Sequence, residues 1–206
     1  MDFEYTHSLL NKLNQHKDFV EVGKAENIYL DIRYASENNF MKKNVYKDFN
    51  RAYLHKIAAD KLAKANSMIL NKNKNKRIVL FDCLRPRSAQ RVLWKFVENT
   101  PMEIYVANPD RGSVHNFGMA IDLTLADSNG NHLDMGTEFD SFTELAQPVQ
   151  EKFMLKNNLL TQEQYENRSL LRSVMEEAGF YSIKHEWWHF DAEVPAIVRS
   201  NFEIIE

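Results

Sequence analysis

The chain has one cysteine, Cys83, in 206 residues. An internal disulfide is therefore excluded, and so is any zinc site built from cysteines. No stretch rich in glycine, proline or serine divides the sequence, which predicts one domain over residues 1–206. No apolar run approaches the roughly 18 residues of a membrane span, and the mean hydropathy is −0.51. The opening residues, MDFEYTHSLLNKLNQHKD, carry two acids in the first four and no long apolar stretch. That is not the pattern of a secretory signal, and a cytoplasmic location is expected. A net charge of −3 lacks the basic surplus of a nucleic-acid binder. Neither nucleic acid nor a membrane is therefore an expected partner, and no internal repeat stands out. What the chain does have is 44% hydrophobic and 12% aromatic residues, enough for a core and too many for wholesale disorder. A metal site in such a chain would use histidines and carboxylates.

Hydrophobic periodicity outlines the elements. Residues 51–70 read as an amphipathic helix, with Leu54, Ile57, Ala58, Leu62, Ala65, Met68 and Ile69 at helical spacing. The biased segment 71–77, NKNKNKR, reads as a solvated turn rather than a nucleic-acid contact, because no wider basic face accompanies it. RIVLFDCL then has strand length, Pro86 stops it, and Ser88 is placed to cap a helix through about Asn99. That helix would bury Ala89, Val92, Leu93, Phe96 and Val97. Thr161 and Gln164 have capping-box spacing, Leu170, Leu171, Val174, Met175 and Ala178 form the buried stripe that follows, and Gly179 ends it. Strands are expected at 28–34, 119–125, 180–184 and 188–192. Helices early and strands clustered late, without strict alternation, predict an α+β fold with a central antiparallel sheet flanked by helices.

Two stretches carry candidate chemistry. The first is Ser113-Val-His-Asn-Phe-Gly-Met-Ala-Ile-Asp122. In one flat strand, His115 and Asp122 would face opposite ways, but Gly118 permits a bend between them. Asp122 then interrupts an apolar strand, and a carboxylate there needs a metal or a cation. A core histidine and an ion-paired aspartate would give the same pattern. The second is His185-Glu-Trp-Trp-His-Phe-Asp191. With His189 the set becomes two histidines and one carboxylate, which leaves a fourth position open, as in catalytic zinc sites. Glu186 reaches the same side only if the chain turns, and there it would serve as a general base. Trp187 and Trp188 would wall the site unless one of them is core. His185 and His132 are read as peripheral to it. Arg85, fixed at a strand end by Pro86, would stabilise an oxyanion or else form a surface ion pair.

Taken together these stretches resemble the zinc peptidases that include D-Ala-D-Ala carboxypeptidases, phage endopeptidases and the VanX-type D-alanyl-D-alanine dipeptidases, whose fold the Hedgehog signalling domain shares. SxHxxGxAxD at 113–122 and ExWH at 186–189 carry the likeness. Asp31-Ile-Arg-Tyr-Ala-Ser-Glu-Asn-Asn-Phe40, Phe81-Asp-Cys-Leu-Arg-Pro86 and Asp134-Met-Gly-Thr-Glu-Phe-Asp140 point to the dipeptidase branch. The resemblance implies one zinc per chain held by His115, Asp122 and His189. It implies Glu186 as base and Arg85 as oxyanion stabiliser. It places Ser113, Asp140 and Trp188 near a small dipeptide substrate, with Asp140 pairing with its free amine. Cys83-Leu84 stands where the family has Gly-Tyr, which removes a hydroxyl. The rival expectations are a carboxypeptidase or endopeptidase of longer wall peptides, and a non-enzymatic zinc module of Hedgehog type.

Overall fold

The computed structural model describes residues 3–23 and 27–206. Its elements, in order, are α1 (Phe3–Gln15), β1 (Phe19–Val22), β2 (Tyr29–Leu30), β3 (Ala52–His55), α2 (Lys56–Lys72), β4 (Lys76–Asp82), α3 (Arg87–Val97), β5 (Ala120–Asp127), α4 (Glu151–Lys156), α5 (Gln162–Ala178), β6 (Tyr181–Ser182), β7 (His189–Asp191) and α6 (Pro195–Asn201). The fold is α+β. A five-stranded sheet runs β2-β4-β5-β7-β6, and β1 and β3 form a separate pair. The main sheet is antiparallel except at its edge, where β2 runs parallel to β4. One apolar core joins both sheets to the helices.

Several local expectations hold. Thr161 and Gln164 bond reciprocally at the start of α5, and Gly179 ends it in the left-handed conformation. Leu171, Val174, Met175 and Ala178 are buried on its inner face. Other boundaries differ, each for a stated reason. Residues 52–55 are strand, not helix: Ala52, Tyr53 and Leu54 are all buried in succession, which a strand covered on both sides allows and a one-striped helix does not. The helix starts only at Lys56, capped by the His55 ring, and leaves Ile57 exposed. The strand expected at 28–34 ends early because a 3-10 turn forms at Arg33–Ala35. There the Arg33 carbonyl accepts from Ser36 Oγ and Asn39 Nδ2, a local alternative to ladder bonding. Pro86, not Ser88, stands at the N-cap of α3, and Val92 and Phe96 stay exposed while Ala89, Leu93 and Val97 are buried.

Two features of the sheet position the site. The first is an irregularity in β4: Leu80 pairs with Leu123, yet Asp82 pairs with Asp122, so one extra residue is accommodated around Phe81. Such bulges re-aim side chains. On its other edge, β5 pairs Asp122 with His189 of β7. Directly opposed residues share a face, so Asp82, Asp122 and His189 form one row across three strands.

The second feature is Gly118. A 3-10 turn, Val114–Phe117, is closed at its start by a Ser113–Asn116 capping box and at its end by Gly118 at φ 62°. A Cβ on Gly118 would lie 2.6 Å from Phe19 Cε1 and 2.9 Å from the His55 nitrogen. An alanine would also carry the roughly 1–2 kcal/mol cost of the left-handed conformation. Gly118→Ala is therefore expected to lower unfolding stability by about 2 kcal/mol or more in urea denaturation. A loss below roughly 0.5 kcal/mol would show that the turn is not constrained in this way.

Candidate active site

The eight residues singled out in the sequence, Arg85, Ser113, His115, Asp122, Asp140, Glu186, Trp188 and His189, all line one cavity of about 710 Å³. Asp122 and His189 reach it from the sheet, and His115 from the capped turn before Gly118. His115 Nε2, His189 Nδ1 and Asp122 Oδ1 converge. Their separations are 3.2 Å between the two nitrogens, 3.3 Å from His115 to Asp122 and 3.0 Å from His189 to Asp122. A tetrahedral ion bonded at ~2.0–2.1 Å spans ligand atoms about 3.3 Å apart, so the triangle has the dimensions of a zinc-sized site.

The outer partners support the same reading. His115 Nδ1 faces the Cys83 carbonyl at 2.7 Å, and His189 Nε2 faces Asp191 Oδ1 at 2.9 Å. A histidine that donates from one ring nitrogen presents a lone pair on the other, as metal ligation requires. Burial alone would raise the Asp122 carboxyl, but the His115 and His189 imidazoles hold it below the usual carboxylate range.

Around this triangle the polar groups are tightly placed. Glu186 Oε2 lies 3.9 Å from His189 Nδ1. Burial pushes the Glu186 carboxyl up to about 7, against the pull of His189. Arg85 is buried, with Nε and Nη2 each 2.8 Å from Asp82 Oδ2 and Nη1 donating to Gln90 at 3.0 Å. A guanidinium has five N–H groups, so two remain for the cavity and for Asp122 Oδ2, which lies 3.6 Å from Nη2. Asp140 has φ 60°, and its oxygens accept from the Tyr34 hydroxyl at 3.1 Å and the Phe40 amide at 3.3 Å.

Ser113 serves the turn as its cap while also lining the cavity. The tryptophans divide. Trp188 walls the cavity, whereas Trp187 bonds Thr137 and faces a second hollow behind it. His185 sits exposed on the cavity wall. His132 lies away from the cavity, beside Asp31 and Arg33.

A family model described as D-Ala-D-Ala dipeptidase matches residues 14–205. The chain belongs to this family of peptidases. It is 36% identical over 162 residues to the D-alanyl-D-alanine dipeptidase of Escherichia coli (strain K12), covering 79% of this chain and 77% of that protein. It is 30% identical over 178 residues to the D-alanyl-D-alanine dipeptidases of Enterococcus faecium and of Enterococcus faecalis (strain ATCC 700802 / V583), covering 78% of this chain and 83% of each.

In this dipeptidase-family chain, sequence reasoning passed over Asp82, Asp191 and Tyr34. Asp82 is fully buried and anchors both Arg85 and the Tyr46 hydroxyl, the latter at 2.7 Å. The signal for it was the one that drew attention to Asp122, an acid within an apolar strand. Asp191 lies two residues beyond His189, hence on the same strand face. Tyr34 carried no signal of its own beyond its place in the Asp31–Phe40 segment, since its bond to Asp140 spans 106 residues.

The environment of Asp140 gives a pH-dependent expectation. Burial pushes its carboxyl up to about 8, against an unfolded value near 3.9. Between these values the folded state holds a proton that the unfolded state has lost, so this group's contribution to stability falls as pH rises from about 4 to 8. Asparagine has no such dependence. Asp140→Asn should therefore gain Tm relative to the unmodified protein as pH rises, by roughly 2–4 °C at pH 8 for each kcal/mol removed. A Tm difference independent of pH would contradict a raised Asp140.

Proposed function

We propose that the protein hydrolyses D-Ala-D-Ala, or a closely related D-containing dipeptide, to free amino acids in the cytoplasm, with one zinc ion per chain held by His115, Asp122 and His189. The observation that carries this reading is the near-equilateral triangle of two imidazole nitrogens and one carboxylate oxygen inside a cavity that also holds Glu186 and Arg85. Bound there, zinc supplies a Lewis acid and makes a water acidic enough to attack near neutral pH.

The chain's own residues do the rest. Glu186 takes the proton of the attacking water and passes it to the leaving amine. Arg85, held rigid by Asp82 and Gln90, directs its free N–H groups at the oxyanion that develops on the scissile carbonyl. Asp140 receives the substrate ammonium, whose positive charge favours loss of the carboxyl proton that burial retains in the free site, and the Tyr34 and Phe40 donors keep the resulting carboxylate aimed. Ser113 offers a hydroxyl to the substrate backbone, and Trp188 keeps bulk water from the reacting bond. A purely binding module would have no use for a recessed base beside the metal ligands and a fixed guanidinium opposite them.

Two substitutions and one substrate pair test this. Glu186→Ala should keep zinc and lose turnover by about 10²–10⁴-fold. Blocking the substrate amine leaves Asp140 buried without its partner, a cost of roughly 3–5 kcal/mol, so N-acetyl-D-Ala-D-Ala should be cleaved about a thousandfold less well than D-Ala-D-Ala. In Asp140→Ala that gap should narrow. Comparable kcat/KM on the two substrates with the unmodified protein would instead favour a carboxypeptidase acting on longer wall peptides.

A further inference from the structure

We propose that the cavity contains an apolar subsite, built from Phe40, Phe142 and Tyr105, for the side chain of the dipeptide's N-terminal residue, and that the enzyme prefers D,D-dipeptides whose N-terminal residue is bulky and apolar. This inference rests on the dipeptidase reading above, with Asp140 as the ammonium anchor.

Size is the first observation. A volume of about 710 Å³ lies in the range of roughly 300–1,000 Å³ that encloses drug-sized ligands. A dipeptide with two methyl side chains leaves much of it unfilled. The second observation is what stands next to Asp140. The Phe40 amide donates to Asp140 Oδ2, and the Phe40 ring packs edge-on at 6.4 Å against Tyr34, whose hydroxyl donates to Asp140 Oδ1. Phe142 follows Asp140 by two residues, and its ring centre is 5.1 Å from that of Phe40. Tyr105, from a 3-10 turn at Pro101–Tyr105, stacks on Phe142 with centres 5.0 Å apart and planes at 29°.

All three rings line the cavity and none is fully buried. Behind Phe40 stands Phe96 at 5.6 Å, itself half-exposed. Ile104, 76% exposed, adds a further apolar side chain to the wall.

Geometry then selects the occupant. An amine held by Asp140 belongs to the N-terminal residue, and its side chain leaves the same Cα. That side chain must start within a bond or two of the anchor, where the rings are. A methyl group covers little of them. A leucine or phenylalanine side chain removes both itself and the rings from water, and that burial persists in the transition state. It should therefore appear in kcat/KM.

The test measures kcat/KM on D-Ala-D-Ala, D-Leu-D-Ala, D-Phe-D-Ala and D-Ala-D-Leu with the zinc-loaded enzyme, Phe142→Ala and Tyr105→Ala. D-Leu-D-Ala or D-Phe-D-Ala should exceed D-Ala-D-Ala by about tenfold or more, the usual scale for added methylenes in an apolar pocket. Either variant should erase most of that advantage and leave the ratio of D-Ala-D-Leu to D-Ala-D-Ala in place. The ratios are internal to each variant, so partial unfolding cannot imitate the result. Equal rates with N-terminal alanine, leucine and phenylalanine, or variants that lower all four substrates alike, would overturn the subsite while leaving the dipeptidase reading intact. Failure to cleave any of the four would overturn both.

Discussion

Asp82 and Asp122 face each other on adjacent strands in the middle of an apolar sheet, and the rest of the site is organised around making that tolerable. Two desolvated carboxylates side by side cannot both stay charged without close cations, and burying an isolated charge costs several kcal/mol. Arg85 answers the first, with two nitrogens on Asp82 and an approach to Asp122. For the second, His115 Nε2 and His189 Nδ1 stand 3.3 and 3.0 Å from Asp122 Oδ1, so a metal cation held among the three would supply the missing positive charge. Removing any one member would leave another buried and uncompensated. The same set of contacts therefore fixes where the polar atoms of the site stand.

That arrangement also explains why distant segments meet. The β4 bulge brings Asp82 opposite Asp122, the β5–β7 ladder brings His189 opposite Asp122, and the Gly118 turn folds His115 back over the strand that carries Asp122. Each is a backbone feature, the turn local and the two strand pairings long-range. None depends on the side chains finding one another unaided.

Much of this was legible from residues alone. Asp122 stood out as an acid in an apolar strand, Gly118 as the hinge that lets His115 join it, and Thr161, Gln164 and Gly179 marked the ends of α5. What escaped the sequence depended on long-range pairing. Residues 52–55 looked helical because their apolar run abuts the stripe of α2, and only pairing with β1 makes them a strand. Asp82 reaches Arg85 locally, but it meets the Tyr46 hydroxyl across 36 residues and Asp122 across 40, and the Tyr34–Asp140 bond spans 106. No local period reports such contacts. Trp187 and Trp188 were indistinguishable as a pair, and the turn that precedes β7 sends only the second into the cavity.

The cavity joins two kinds of recognition. On the proposed reading, the ionic groups at its base meet the charged and reacting atoms of a small peptide, and the aromatic rings that line it take the side chain of the first residue. The central claim is that His115, Asp122 and His189 together hold one catalytic zinc ion. The most direct measurement is zinc stoichiometry by elemental analysis after dialysis, for the unmodified protein and for His115→Ala, Asp122→Ala and His189→Ala. The unmodified protein should retain about one zinc per chain, and each variant should lose most of it while remaining folded by circular dichroism, since the ligands contribute directly to affinity. Full zinc occupancy in any one of the three folded variants would contradict the assignment.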